Sequence, residues 1–469
     1  MWESHRTTSR RDFLRITLTG AGVTSILHNQ SFAETMQRST PLPAPAFYWG
    51  IGIENCWIAQ TDPKRDGNRR LLDVFQQMQH DRRWKEDLDL LPATGVNSLR
   101  YSVPWYKSEP RPGVYDWSWI DRPVEYIVNT LKIIPIMDLI HYGTPAWMPD
   151  GVADERFPEA IGRYAGAMAT HFKGLVNHYS PHNEPQLTCA WCGLTGHWPP
   201  YRKSPHAWSR IGANVARGMV LETQAIRAAI PDAVILSVDL AIASVADAYA
   251  RLPADDPRWP EFRLASSYYP ASLAYGKIIP GHPLADLLMA HGVNEAEVAW
   301  FQQHAARPDM VGCNSYPDFG FGWSGQPPEA RKNDFTRRGS MPLERAAREA
   351  VESLTATIKR AQDYFRLPVF LTETSAGVGI EARVAYIEAL GRWVRRMRDE
   401  GVPVKGVNWW PLFDTIQWDY REQTDRPLTD FLYEGGWNNG LYRIEPQPGG
   451  ELRRVSTGAV EAFRRITAH

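Results

Sequence analysis

The sequence predicts an α/β fold, a closed parallel (β/α)8 barrel, from three observations. Eight short β-rich runs recur along the chain, and helix-period segments with charged outer faces lie between most of them. Gly95, Gly174 and Gly401 each stand just past a helix and just before a strand, where a C-terminal cap hands the chain back to a sheet. Parallel strands need helical crossovers and cover on both faces, and eight such units in one chain of 469 residues fit a closed ring.

The strands are expected at 47–53, 98–103, 133–139, 176–180, 234–240, 310–314, 369–372 and 404–409. The first, Phe-Tyr-Trp-Gly-Ile-Gly-Ile, and the third, Ile-Ile-Pro-Ile-Met-Asp-Leu, read as strands buried on both faces. The clearest helices are expected at 161–172, 207–229, 343–365 and 381–400, each with apolar residues at helical spacing. A doubly wound open sheet is the competing architecture. It is disfavoured because Gly50-Ile51-Gly52 runs on into Glu54-Asn55-Cys56 rather than into the helix that a phosphate loop would open.

Composition narrows the function. The chain carries 52 basic and 53 acidic side chains, a formal charge of −1, which removes the usual electrostatic argument for nucleic acid, since tracking phosphates takes a basic surface. With Trp 19, Tyr 19, Phe 16, Gly 35 and Pro 36 it reads as a large, loop-bearing globular enzyme. Four cysteines exclude a disulfide scaffold.

The amino terminus reads as an address. Arg10-Arg11-Asp12-Phe13-Leu14 precedes a weakly apolar stretch from Ile16 to Leu27 and then Ser31-Phe32-Ala33, with small residues where a signal peptidase cuts. This resembles a bacterial twin-arginine signal over 1–33, leaving 34–469 as the barrel domain and the twin-arginine translocase as the partner during export. A periplasmic or secreted location follows as the expectation. No stretch of the sequence reaches the roughly twenty apolar residues of a membrane span.

In a barrel, chemistry sits at the C-terminal ends of the strands. Strand four ends in His182-Asn183-Glu184-Pro185 and strand seven in Thr372-Glu373-Thr374, so two carboxylates emerge on one rim from strands that face each other. Cleavage of a glycosidic bond needs such a pair, one carboxyl to protonate the leaving oxygen and one to attack or to activate water.

These motifs resemble those of a clan of retaining glycoside hydrolases with glutamates on strands four and seven, and most of all family 1, the β-glucosidase family. Phe47-Tyr48-Trp49-Gly50 resembles its opening strand, Asn97 to Trp105 its second-strand Arg motif, His141 its third-strand His, and Asp309 to Tyr316 its sixth-strand motif. Trp410-Pro411-Leu412-Phe413-Asp414-Thr415-Ile416-Gln417-Trp418 resembles the segment after strand eight. The resemblance implies that Glu184 is the general acid/base and Glu373 the nucleophile, with Arg100 and Tyr316 keeping Glu373 ionised. It places Arg100, His141, Asn183, Asn314, Tyr316, Trp410, Gln417 and Trp418 around the sugar, and it implies neither cofactor nor metal.

Two departures bear on specificity. The family's last motif carries Glu where this chain has Gln417, which keeps hydrogen bonds but loses their charge assistance. Its first strand carries Tyr-Gln-x-Glu-Gly where this chain has Glu54-Asn55-Cys56-Trp57. Glu54 is then either a third rim carboxylate gripping sugar hydroxyls or a structural ion-pair partner. Cys189-Ala190-Trp191-Cys192 has no second pair to complete a zinc site and reads equally as a local disulfide or as two buried thiols. Cys56 and Cys313 read as buried small residues. Trp147, Trp191, Trp198 and Trp323 lie in rim loops, where they could stack on sugar rings or simply pack.

The function expected is an exported retaining β-glycosidase acting through a covalent glycosyl-enzyme. A transglycosylase with the same glutamates, an endo-acting clan relative and a catalytically silent glycan-binding barrel are the alternatives.

Overall fold

The computed structural model describes residues 41–54, 73–240, 246–316, 341–376, 379–415 and 438–468. The leader expected at 1–33, Cys56, Trp323, Gln417 and Trp418 lie outside the described residues.

Eight parallel strands form one sheet: β1 Tyr48–Ile53, β2 Ser98–Ser102, β3 Ile134–Asp138, β4 His178–Ser180, β5 Val234–Ile235, β6 Val311–Asn314, β7 Val369–Thr374 and β8 Val404–Trp409. They run in the order β5-β4-β3-β2-β1-β8-β7-β6. The two end strands meet through parallel bridges, Leu236 to Met310 and Asp239 to Cys313, so the sheet closes into the expected barrel. Every strand agrees with its sequence expectation in position. The fifth is shorter because beyond Ile235 its pairing breaks into single bridges, including Val238 to Asn183.

Side chains alternate across the barrel wall. Ile51, Leu99, Met137, Tyr179, Leu371 and Val407 face the helices and join the main core, whereas Tyr48, Ile134, Ile136, Leu236, Met310 and Phe370 form a separate apolar plug inside the ring. Above the plug the interior turns polar, and register decides where. Gly50 pairs with Ser98 and Asn408, Gly52 with Arg100, and Ser102 with Asp138. A Cβ on Gly50 would stand 2.5 Å from Asn408 Oδ1. The two glycines of β1 thus clear space inside the barrel for larger polar side chains of their neighbours.

The helices also match. They run Phe157–His171, Pro205–Ala229, Leu343–Phe365 and Ile380–Asp399, and Gly95, Gly174 and Gly401 adopt φ of 75°, 87° and 76° at the turns into the next strand. The long helix Pro205–Ala229 starts cleanly because Ser204 Oγ accepts from Ala207 N at 3.1 Å and Pro205 occupies the first turn. An antiparallel hairpin, β9 Tyr442–Pro446 and β10 Leu452–Ser456, was not expected from the sequence; Gly449 and Gly450, both at positive φ, make its turn. The final helix, Gly458–Thr467, packs back on the barrel.

Candidate active site

Arg100, one per cent exposed at the upper end of β2, organises the mouth of the barrel. Its Nη1 donates to Glu373 Oε1 at 2.5 Å and lies 3.2 Å from Glu54 Oε1, while its Nη2 donates to Asn183 Oδ1 at 2.7 Å and lies 3.1 Å from Asp138 Oδ1. One guanidinium therefore ties together the ends of β1, β3, β4 and β7. Its planar fork of donors makes that division possible, which the point charge of a lysine would not. Burial works against the guanidinium's charge, and Asp138, Glu54 and Glu373 outweigh it, so Arg100 stays cationic.

Asp138 is the hub on the β3 side. It accepts from Ser102 Oγ and pairs with His141 Nδ1, both at 2.8 Å. Burial would raise its pKa, but Arg100 and His141 hold it down at about 2. With Nδ1 engaged, His141 turns Nε2 toward Asn183 Nδ2 at 3.3 Å.

Glu184 follows β4 with φ 42° and ψ 61°, a left-handed conformation uncommon for a residue with a side chain. Such strain, of order 1 to 3 kcal/mol, persists only where the surroundings over-determine it. Here Asn183 N donates to Ile140 O at 3.0 Å and Glu184 N to Val238 O at 2.9 Å. The carboxyl accepts from Asn314 Nδ2 at 2.7 Å on Oε1 and from the Tyr142 hydroxyl on Oε2. Burial and the charge of Glu373 push Glu184 up to about 7, against the pull of those two donors and Arg100.

Glu373 on β7 is held by Arg100 on one oxygen and by the Tyr316 hydroxyl on the other. The two glutamates thus occupy contrasting settings at one mouth. One is lifted into the neutral range; the other faces a cation and a hydroxyl donor.

Glu54 directly follows β1 and is as enclosed as Glu184 and Glu373. Its side chain has no exposure, and its carboxyl folds back so far that a Cβ on Gly52 would lie 2.2 Å from Oε2. Burial pushes its pKa well above the carboxylate range against the pull of Arg100. Its Oε1 lies beside the same Arg100 Nη1 that donates to Glu373, so both carboxyls share one guanidinium nitrogen. Asn314 likewise addresses Glu184 rather than open space, and Thr372 Oγ1 orients it by donating to its Oδ1 at 2.7 Å. Trp410 is buried, its side chain favours the ionised form of Glu54, and its ring meets that of Tyr316 edge-on at 6.0 Å.

Cys189, Cys192 and Cys313 are buried thiols outside any disulfide, which decides between the two readings of the C-x-x-C pair. Trp198 is buried between Tyr142 and Trp191, with ring centroids 4.5 Å and 4.4 Å away, so two of the rim tryptophans form the wall behind Tyr142. The sequence reading gives no role to Tyr142 or Asp138, and it names Thr372 only within the strand-seven motif. Tyr142 directly follows His141 and could have been found from that neighbour alone. Among the described residues no group of three or more His, Cys, Asp or Glu is arranged to hold a metal ion, and no helix is long and apolar enough to cross a membrane.

A comparison with protein families matches residues 74–179 to glycoside hydrolase family 42, described as beta-galactosidase. That stretch holds Arg100, Asp138, His141 and Tyr142 but neither glutamate. A bifunctional beta-D-glucosidase/beta-D-fucosidase of Bifidobacterium breve is 26% identical over 408 residues, 77% of this chain and 84% of that protein. Beta-glucosidase A of Thermotoga maritima is 23% identical over 359 residues, 72% of this chain and 78% of its own. Its relatives are glycoside hydrolases. Among solved structures, a beta-glucosidase from T. maritima in complex with galacto-hydroximolactam superposes with a TM-score of 0.67 at 18% identity, covering 91% of this chain and 98% of that one. The barrel is the fold of these glycoside hydrolase relatives. The family model that matches is family 42, not family 1, although a family 1 β-glucosidase is among the structural neighbours.

Proposed function

We propose that the protein is a retaining β-glycosidase whose acid/base is Glu184 and whose nucleophile is Glu373. The observation that carries this reading is the opposed setting of the two carboxyls. Glu184, at about 7, holds a proton near neutrality for the leaving oxygen. Glu373, against Arg100 and Tyr316, is arranged as the carboxylate that attacks the anomeric carbon. In the first step the C–O bond to the aglycone breaks as the Glu373 ester forms, and Glu184 gives its proton to the departing oxygen. In the second, Glu184 takes a proton from water, which attacks the ester and releases the sugar with its configuration retained.

Support for β-glycosides as substrates comes from the beta-glucosidase and beta-galactosidase names of the relatives. The motifs of strands two, four, six and seven favour placement near family 1. Asn183, fixed by Arg100, and His141, fixed by Asp138, are the polar groups proposed to meet the glycone. Export by the twin-arginine route to the periplasm or beyond is part of the proposal and rests on Arg10-Arg11 and the stretch after it.

The test is a screen of aryl β-glycosides with the first-formed anomer followed by NMR. A β product first, loss of hydrolysis in Glu373→Gly and its partial return with azide or formate support the reading. An inverted first product, or no turnover of any β-glycoside, defeats it.

A further inference from the structure

The acid/base carboxyl stands on backbone that its own residue type disfavours, and the bonds from Asn183 and Glu184 to Ile140 and Val238 fix only the approach to it. On the far side, two residues later, Gln186 is buried and reaches across to the end of β5. Its Nε2 donates to Asp239 Oδ1 at 3.0 Å, and its Oε1 accepts from Leu240 N at 3.3 Å. Asp239, one per cent exposed, accepts on its other oxygen from Ser237 Oγ at 2.5 Å. The backbone of Asp239 is tied in as well, donating to Gly312 O at 3.1 Å and accepting from Asn314 N at 2.9 Å. One residue therefore grips both the segment after Glu184 and the strand end that carries Asn314, the hydrogen-bond donor to Glu184.

The geometry points to Gln186 and Asp239 as positioning residues, a buried clip that locks Glu184 in its left-handed conformation and holds Asn314 against its carboxyl. This inference rests on the acid/base role of Glu184 proposed above. Neither residue is placed to touch a substrate, and neither belongs to the motifs shared with the glycosidases. The groups around Asp239 are Ser237, Gln186, Cys313, Tyr268 and Tyr275, none of them cationic, so hydrogen bonds alone support its charge; burial pushes it up to about 6. Those facing Glu184 are Glu373, Arg100, Tyr142, Asn314 and Tyr316. Releasing the clip lets water reach Glu184, and because burial is the largest cause of its raised pKa, this outweighs the loosening of the Asn314 bond. The alkaline limb of kcat/KM then moves to lower pH.

Three variants of the full chain test the clip: Gln186→Leu, Asp239→Ala, and the exchanged pair Gln186→Glu with Asp239→Asn. The exchanged pair keeps one negative charge and reverses which side donates. The single variants are expected to lower kcat at least tenfold on aryl glycosides with poor leaving groups, with KM within threefold, and to move the alkaline limb down by at least half a pH unit. The exchanged pair is expected to return kcat to within threefold and the limb to its original position. Single variants that lose thermal stability yet keep kcat and the limb overturn the proposal, as does an exchanged pair that folds but recovers neither. The pH at which a ¹³C-labelled Glu184 carboxyl titrates by NMR should fall in both single variants. That measurement needs no substrate, so it reads the clip even if the wild-type protein hydrolyses no glycoside and the functional reading alone fails.

Discussion

Asn314 Nδ2 donates to Glu184 Oε1 at 2.7 Å, joining the end of β6 to the end of β4 across the barrel mouth. The bond stabilises the ionised form of Glu184 and so opposes the burial that raises it. Asn314→Ala removes that opposition. The alkaline limb of kcat/KM should move to higher pH, opposite in sign to release of the Gln186–Asp239 clip. A pH series from 5 to 9 on one aryl glycoside separates the two.

Glu184 also couples pH to stability. Its carboxyl titrates near 4.5 when unfolded and at about 7 when folded, so the native state holds the proton more tightly. Stability from this group is fully present below about 4.5 and is lost as pH rises through about 7, at about 1.4 kcal/mol per unit. Glu184→Gln, which cannot ionise, should raise the melting temperature at pH 8 and leave it nearly unchanged at pH 4.5. Calorimetry at the two pH values checks this, and the same variant should hydrolyse activated donors far better than those with poor leaving groups.

Gly52→Ala should destabilise the fold by about 1 to 3 kcal/mol, because the new methyl falls where the Glu54 carboxyl lies. Glu54→Ala removes the obstacle, so the double variant Gly52→Ala with Glu54→Ala should be no less stable than Glu54→Ala alone. Urea unfolding of the four proteins gives the coupling directly. Additive losses would mean that Glu54 does not occupy that space.

Export is checked by fractionation. Arg10→Lys with Arg11→Lys should retain the protein in the cytoplasm of a bacterial host. Undiminished periplasmic activity in that variant, or in a host without the twin-arginine translocase, would remove the leader from the proposal.

How legible the molecule was depended on the range of the interaction. The barrel could be read because each β/α unit announces itself locally, through an apolar run, a helical period and a glycine such as Gly174 at the turn between. Glu184 and Glu373 could be read because both sit on strand ends, where the fold itself implies proximity. The placements of Glu54 and Asn314 could not. Glu54 is held down beside Arg100 by the absence of a side chain at Gly52, and Asn314 is turned to Glu184 by Thr372, contacts that depend on register and not on any single segment. The hairpin at Tyr442–Pro446 was missed although Gly449-Gly450 stood between two alternating runs as a turn signal.

The seam between β5 and β6 has a consequence beyond topology. The other neighbouring strands pair in ladders of two or more residues, some with register shifts, but here the ring is fastened by isolated bridges and by Ser237, Asp239 and Asn314 amides bonded to single carbonyls. Gly312 permits the approach, since a Cβ there would lie 2.0 Å from Ser237 O. This works as a clasp, and the clasp shares Asp239 with the anchor of Glu184. With Glu184 as the proposed acid, opening of the ring and loss of the acid's anchor would be one event, so gentle heating should silence turnover before the helices melt, and any residue that tightens the clasp should lengthen the working life of the protein without touching its substrate.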